Sequence, residues 1–139
     1  MSRGWEHIVT DTEVTVRAWG ASRAEAFACA AEAVLALVVP PTTITTQETR
    51  EARAQGAPPE ALLVNWLNEC LYVHEIEGFA VSRVEVDMCR EGLVHGLLHG
   101  EPFDPARHLT STAVQAVSPD RAEVRESDAG AEVRAVVAL

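Results

Sequence analysis

Leu62, Leu63, Trp66, Leu67, Cys70 and Leu71 stand in two rows whose members recur four residues apart. On a helix that spacing stacks side chains on one side and builds a single apolar face, which must be covered by another layer of structure. Gly56-Ala57-Pro58-Pro59 forms a turn ahead of this helix, and Gly78 ends it. A second helix is signalled earlier. In Ser22-Arg23-Ala24-Glu25 the serine hydroxyl and the glutamate carboxylate can take up free amides at a helix start. Phe27, Ala30, Ala31, Val34, Leu35 and Val38 follow at helical spacing, and Pro40-Pro41 stops the run.

The cover for these faces is sheet. Thr12 to Trp19 alternates apolar and polar residues, so Val14, Val16 and Ala18 face inward while Glu13, Thr15 and Arg17 face the other way. Threonines and alternating charges from Ile44 to about Ala54 indicate an exposed strand. Phe79 to Cys89 and Leu93 to Glu101, joined by Arg90-Glu91-Gly92, read as a hairpin. After a proline-punctuated loop from Pro102 to Leu109, three short strands close the chain near Thr112–Val117, Ala122–Glu126 and Glu132–Val137, with Asp128-Ala129-Gly130 turning between the last two. The expected fold class is α+β, with two amphipathic helices on a mixed, largely antiparallel sheet of about eight strands. At 139 residues the chain fits one domain, 1–139, and its 47% hydrophobic and 23% charged residues are those of a globular protein.

Charge narrows the partners. The formal net charge is −10, and every basic residue other than histidine is arginine. So acidic a chain gains nothing from counterion release on a phosphate backbone, which argues against broad direct binding to nucleic acid. A metal ion or a basic protein surface suits it better. No apolar run reaches bilayer length, and Met1 to Glu6 lacks the apolar stretch of a signal peptide. Cys29, Cys70 and Cys89 are odd in number, far apart and set among apolar neighbours, which points to reduced core thiols in a cytoplasmic setting. Arg90 beside Cys89 is a basic neighbour of the kind that favours thiolate, but it has no evident catalytic partner.

Two polar constellations stand out. His95, His99 and Glu101 share a strand face if the alternation holds, with His108 nearby in sequence. That is a donor set for zinc or iron and the basis of a metalloenzyme reading, while an ordinary polar strand face accounts for it as well. Asp104, Arg107 and His108 form the second. Here Asp104 is placed to cap the turn around Pro105, with Arg107 as its ion-pair partner.

The string Gly100-Glu101-Pro102-Phe103-Asp104-Pro105-Ala106-Arg107-His108 resembles G-E-[PF]-[FY]-D-x-x-[KR]-H of the archease family. Thr112 to Ser118 is similar to that family's T-E-V-K-A-[IV]-T, and Val16 to Gly20 followed by Ala24 to Phe27 to its I-R-A-[YW]-G and E-E-A-F. Leu62 to Tyr72 resembles L-L-x-x-[WF]-L-[ND]-E-x-L-Y. The matches keep the family's order and span nearly the whole chain. The resemblance implies a non-catalytic protein that helps an RtcB-type RNA ligase take up GMP, in tRNA splicing or RNA repair. It places the partner-binding surface on Glu101, Asp104, Arg107, His108 and Gln115. It also implies a divalent cation, usually calcium, between an acidic residue of the first strands and the end of the chain. Here the ligands for it would be Glu13, the terminal carboxylate of Leu139 and Asp11. Several charged family positions are neutral in this sequence. The D-H of D-H-T-A-D-V-G falls on Val9 and Thr10, its second aspartate on Glu13, the lysine of T-E-V-K-A on Gln115, and the penultimate aspartate on Ala138. An interaction module that kept the fold and lost ligase activation is the alternative these changes motivate.

Overall fold

The computed structural model describes residues 2–108, 114 and 116–138. Among them the elements run β1 (Gly4–Val9), β2 (Glu13–Gly20), α1 (Arg23–Val38), β3 (Glu48–Gln55), α2 (Pro59–Glu77), β4 (Phe79–Arg90), β5 (Leu93–Pro102), β6 (Ala116–Val117), β7 (Glu123–Ser127) and β8 (Gly130–Ala138). The eight strands form two antiparallel sheets. In the first, β1, β2 and β8 lie side by side, and β6 and β7 share the far edge of β8. In the second, β5 lies between β3 and β4. The expected α+β layout holds, with every pairing antiparallel and the strands divided five and three.

Each helix begins and ends as its residues dictate. Ser22 Oγ accepts the Glu25 amide at 3.2 Å, and the Glu25 carboxylate reaches back to the Ala21 amide at 3.0 Å. Gly78 closes α2 with φ of 65° and ψ of 50°, a left-handed conformation that costs glycine little, and its amide bonds to the His74 carbonyl. Burial on α1 exceeds the expected stripe: Ala26, Ala28, Cys29, Ala33 and Leu37 are buried as well. The reason is position. α1 lies against β2 and β8 of the first sheet, β4 of the second, and α2, so it has almost no solvent face. Its alanines permit that close approach. Even Glu32 is used structurally, accepting the Val84 amide of β4 at 3.0 Å and lying near Arg3.

α2 covers the second sheet and ties to α1 through Trp66, whose indole N–H donates to the Phe27 carbonyl at 3.1 Å. Trp66, Phe27, Phe79, Leu62, Leu63, Leu67 and Leu98 are fully buried in one core. Truncating an aromatic of this kind to alanine costs about 3–5 kcal/mol. No helix among the described residues is long and apolar enough to cross a membrane.

Most strand ends shift by a residue or two from the sequence reading, and three differences are larger. The sequence carries no strand signal for β1, yet it pairs with β2 along its whole length. It is an edge strand that leaves Ile8 and Val9 exposed, so it carries no clean alternation. β3 starts at Glu48 rather than Ile44, because Pro41–Thr43 makes a 3-10 turn and the Thr45 amide goes to the Glu101 carboxylate instead of a ladder. Of the strand expected over Thr112–Val117, Ala116 and Val117 are paired, while Thr112, Ala113 and Gln115 lie outside the described residues.

Candidate functional site

β5 delivers Glu101 into the crook of the loop that follows it. Just before it, Gly100 lets β5 lie close on β4: a Cβ there would fall 1.8 Å from the Ala80 carbonyl oxygen. Glu101 is 4% exposed and His108 1%. One oxygen of Glu101, Oε2, receives three donors: the Thr45 amide at 2.7 Å, His108 Nε2 at 2.9 Å, and the Arg107 guanidinium. These contacts, the Thr45 amide foremost, hold the Glu101 carboxyl down at about 2. The histidine tautomer follows from its neighbours. His108 Nδ1 accepts the Asp104 amide at 2.8 Å, so the proton sits on Nε2 and is donated to Glu101. His108 is thus a neutral strut with both nitrogens engaged.

Asp104 shapes the loop as expected. Its Oδ1 accepts the Ala106 amide at 3.0 Å, and its carbonyl accepts the amides of Arg107 and His108. The expected Asp104–Arg107 ion pair does not form. Arg107 turns instead to Glu101, the more deeply placed carboxylate, and keeps about half its side chain in solvent. Phe103 is wedged between His74 and His108, with ring centroids 5.6 Å and 5.7 Å away, and its amide bonds to the Gly78 carbonyl at the end of α2. The loop is therefore fastened from inside, while Asp104, Ala106 and Arg107 face out. Gln115 lies outside the described residues.

The histidine set on β5 is divided. His95 Nδ1 lies 2.7 Å from Asp87, and its Nε2 is 3.9 Å from Glu51. His99 Nδ1 meets the Thr49 hydroxyl at 3.1 Å, and its Nε2 lies 2.7 Å from Glu85. Glu101 is occupied by its own three donors and does not join them. Among the described residues no group of three His, Cys, Asp or Glu side chains is placed to hold a metal ion. The pairs form a polar sheet face, and the geometry runs against a His95/His99/Glu101 metal centre.

The first-strand acid stands elsewhere. Glu13 opens β2 opposite Ala138 of β8, and its carboxylate meets Arg121 at 2.7 Å. Asp11 is exposed in the turn before β2, and Leu139 lies outside the described residues. Calcium takes six to eight oxygens. With a guanidinium on Glu13 and a methyl group across from it, the described residues do not fit that shell.

None of the thiols is poised to react. Burial raises the pKa of Cys29 and carries that of Cys70 well up. Cys89 is pushed up to about 11 by burial, against the pull of Arg23, and the neighbouring Arg90 does not reverse this. Sequence reasoning missed Thr45, His74 and Arg121 as parts of these sites. His74 sits four residues before the helix-ending glycine, a place that favours bonding to chain-end carbonyls. The other two carry no local signal, because their partners are 56 and 108 positions away.

Comparison with known proteins fits this architecture. The model of the Archease protein family (MTH1598/TM1083) matches residues 5–138. A relative named protein archease from Methanopyrus kandleri is 33% identical over 127 residues, covering 89% of this chain and 91% of its own. Another of that name, from Pyrococcus abyssi, is 32% identical over 117 residues, covering 82% of each chain. The solution structure of Methanobacterium thermoautotrophicum protein 1598 has the same fold, with a TM-score of 0.78 at 20% identity over 98% of this chain and 99% of that one.

Proposed function

The chain belongs to the archease family, and from that premise we propose that it is a non-catalytic accessory protein that docks on an RtcB-type RNA ligase. There it promotes guanylylation and turnover of the ligase, in tRNA splicing or RNA repair. The observation that supports this reading best is the braced loop Gly100–His108. The residues that carry the family-like string are fixed from within by Glu101 and His108, and Asp104 and Arg107 are offered to solvent on a rigid base. A preformed loop loses little conformational freedom on binding, so its contacts are available to stabilise one ligase conformation over another. The stimulation then equals the difference in its affinity for the guanylylation-competent and incompetent states.

The chain's own chemistry agrees with a supporting role. Its thiols are held protonated by burial, and its one deeply buried histidine has both nitrogens engaged. A net charge of −10 favours a protein surface over an RNA backbone. We assign it to the cytoplasm, where reduced thiols persist.

The test is guanylylation of the cognate ligase by GTP, with and without this protein at equal concentration. Stimulation is expected, and Arg107→Ala is expected to weaken it while leaving the fold intact by circular dichroism. Absence of stimulation by the unaltered protein removes the reading. A paralogue that lost activation is the second reading, favoured by the alanine opposite Glu13 and by neutral Val9 and Thr10. Recovery of the ligase as the main partner in a pull-down would count against that one.

A further inference from the structure

A single row of side chains crosses three strands at one end of the first sheet. Glu13 of β2 stands opposite Ala138 of β8, and Ala138 stands opposite Ala116 of β6. Directly paired residues project from the same face, so the row offers one carboxylate and two methyl groups. The turn between β6 and β7 brings Arg121 back over this row, where its Nη1 donates to Glu13 Oε2 at 2.7 Å. Two oxygens beside it already accept hydrogen bonds. The Glu13 carbonyl accepts both the Thr10 amide at 3.0 Å and the Thr10 hydroxyl at 3.1 Å. Asp120 accepts the Ser118 hydroxyl at 2.9 Å and so braces the turn that carries Arg121.

We propose that the guanidinium of Arg121 is the resident cation of this edge, standing in for a divalent metal ion and fixing the start of β2 to the β6–β7 turn. The chemistry of the donor set favours this occupant. A hard divalent ion asks for six or more oxygens, and strips water from itself only in exchange for several charged ligands. A guanidinium is satisfied by one carboxylate, keeps its charge at every accessible pH, and is held by the chain itself. Alanine at 138 and at 116 then causes no deficit, because Arg121 supplies the positive charge that further carboxylates would otherwise be needed to capture. The edge is expected to be indifferent to calcium and to chelators. This inference concerns the Glu13 edge alone and stands or falls separately from the ligase reading.

Calcium chloride titrated into the full-length protein, followed by calorimetry and by thermal unfolding, tests it. The unaltered protein is expected to release no binding heat and to keep its melting temperature in millimolar calcium or in EDTA. The double variant Arg121→Ala/Ala138→Asp removes the internal cation and restores a second carboxylate. It is expected to bind calcium at least about tenfold more tightly than the unaltered chain, since affinity follows the ligand charge count, with a melting temperature that rises on addition. Circular dichroism checks folding, and Arg121→Gln/Ala138→Asp, closer in volume to the native arginine, replaces the first variant if that one does not fold. Saturable calcium uptake by the unaltered protein overturns the proposal. So does a folded double variant that binds calcium no more tightly than the unaltered protein.

Discussion

Two of the molecule's acid–arginine pairs share their chemistry and little else. Glu101 and Arg107 meet under the loop after β5, on a carboxylate that also takes the Thr45 amide and the His108 imidazole. Glu13 and Arg121 meet at the end of the first sheet, through one contact, with the arginine side chain 52% exposed. The difference lies in what water can repair. At the open edge a lost partner is replaced by solvent, and such pairs contribute little to stability. Under the loop Glu101 and His108 are buried, so an imidazole donor left without its acceptor keeps its full desolvation cost. The first site can therefore hold a loop in shape. The second is an open contact whose loss disturbs the fold little.

His108→Ala is the severest test of that contrast. It removes a buried side chain, strands the Asp104 amide and deprives Glu101 of a donor, for an expected loss of about 3 kcal/mol. Urea unfolding measures it. A loss of only a few tenths would mean that the loop is not held from beneath, and the contrast would fail. Acid exposes the same site next. The folded-state pKa of Glu101 is depressed to about 2 from an ordinary 4.5, so its contribution is present above the ordinary value and lost as pH falls through the folded one. The urea midpoint is expected to drop across that window, and to drop less steeply in Glu101→Gln. A residual slope remains in the variant, since Glu132 beside Arg17 and Glu85 beside Arg83 are lowered too. Equal slopes in the two proteins would remove Glu101 from the account.

Local chemistry was legible in the sequence and long-range chemistry was not. The helix rows on α2 appear as buried Leu62, Trp66, Leu67 and Cys70, and the Ser22–Glu25 cap forms as its spacing requires. Glu91 and Gly92 both take positive φ in the hairpin turn, as a two-residue connection between twisted strands demands. Each of these depends on residues a few positions apart. The full burial of α1 depends on a second sheet arriving from β4, which no helical period encodes. Glu101 read as one member of a histidine face, because alternation along β5 says nothing of a loop folding back over its end. Asp104 was a correct turn former, yet the nearer carboxylate in sequence lost Arg107 to Glu101. Nothing local marks Arg121 as a partner of Glu13, because the contact depends on β8 lying between β2 and β6.

Arg107→Ala sharpens the contrast within the buried site itself. Arg107 is a side-chain donor to Glu101 that stands half in solvent, and Thr45 and His108 remain on the same oxygen without it. The expected loss of stability in urea is well under half of that for His108→Ala. Should the two losses be equal, the loop would owe its shape to the ion pair and not to the imidazole strut.

Arg121→Ala is expected to have the smallest effect on stability, on the order of 0.2–1 kcal/mol, the range of exposed ion pairs. Its partner Glu13 keeps solvent access, and the Glu13 carbonyl stays bonded to Thr10 whether or not the guanidinium is present. Salt separates this site from the loop. Raising the ionic strength screens an open pair and leaves a covered one largely untouched. The difference between Arg121→Ala and the unaltered protein should therefore shrink toward zero at molar salt, while the His108→Ala difference persists. Urea unfolding of the three proteins at low and high sodium chloride reads both at once. A salt-insensitive loss at Arg121 would show that the Glu13 edge is shielded like the loop, and the contrast between the two sites would fail.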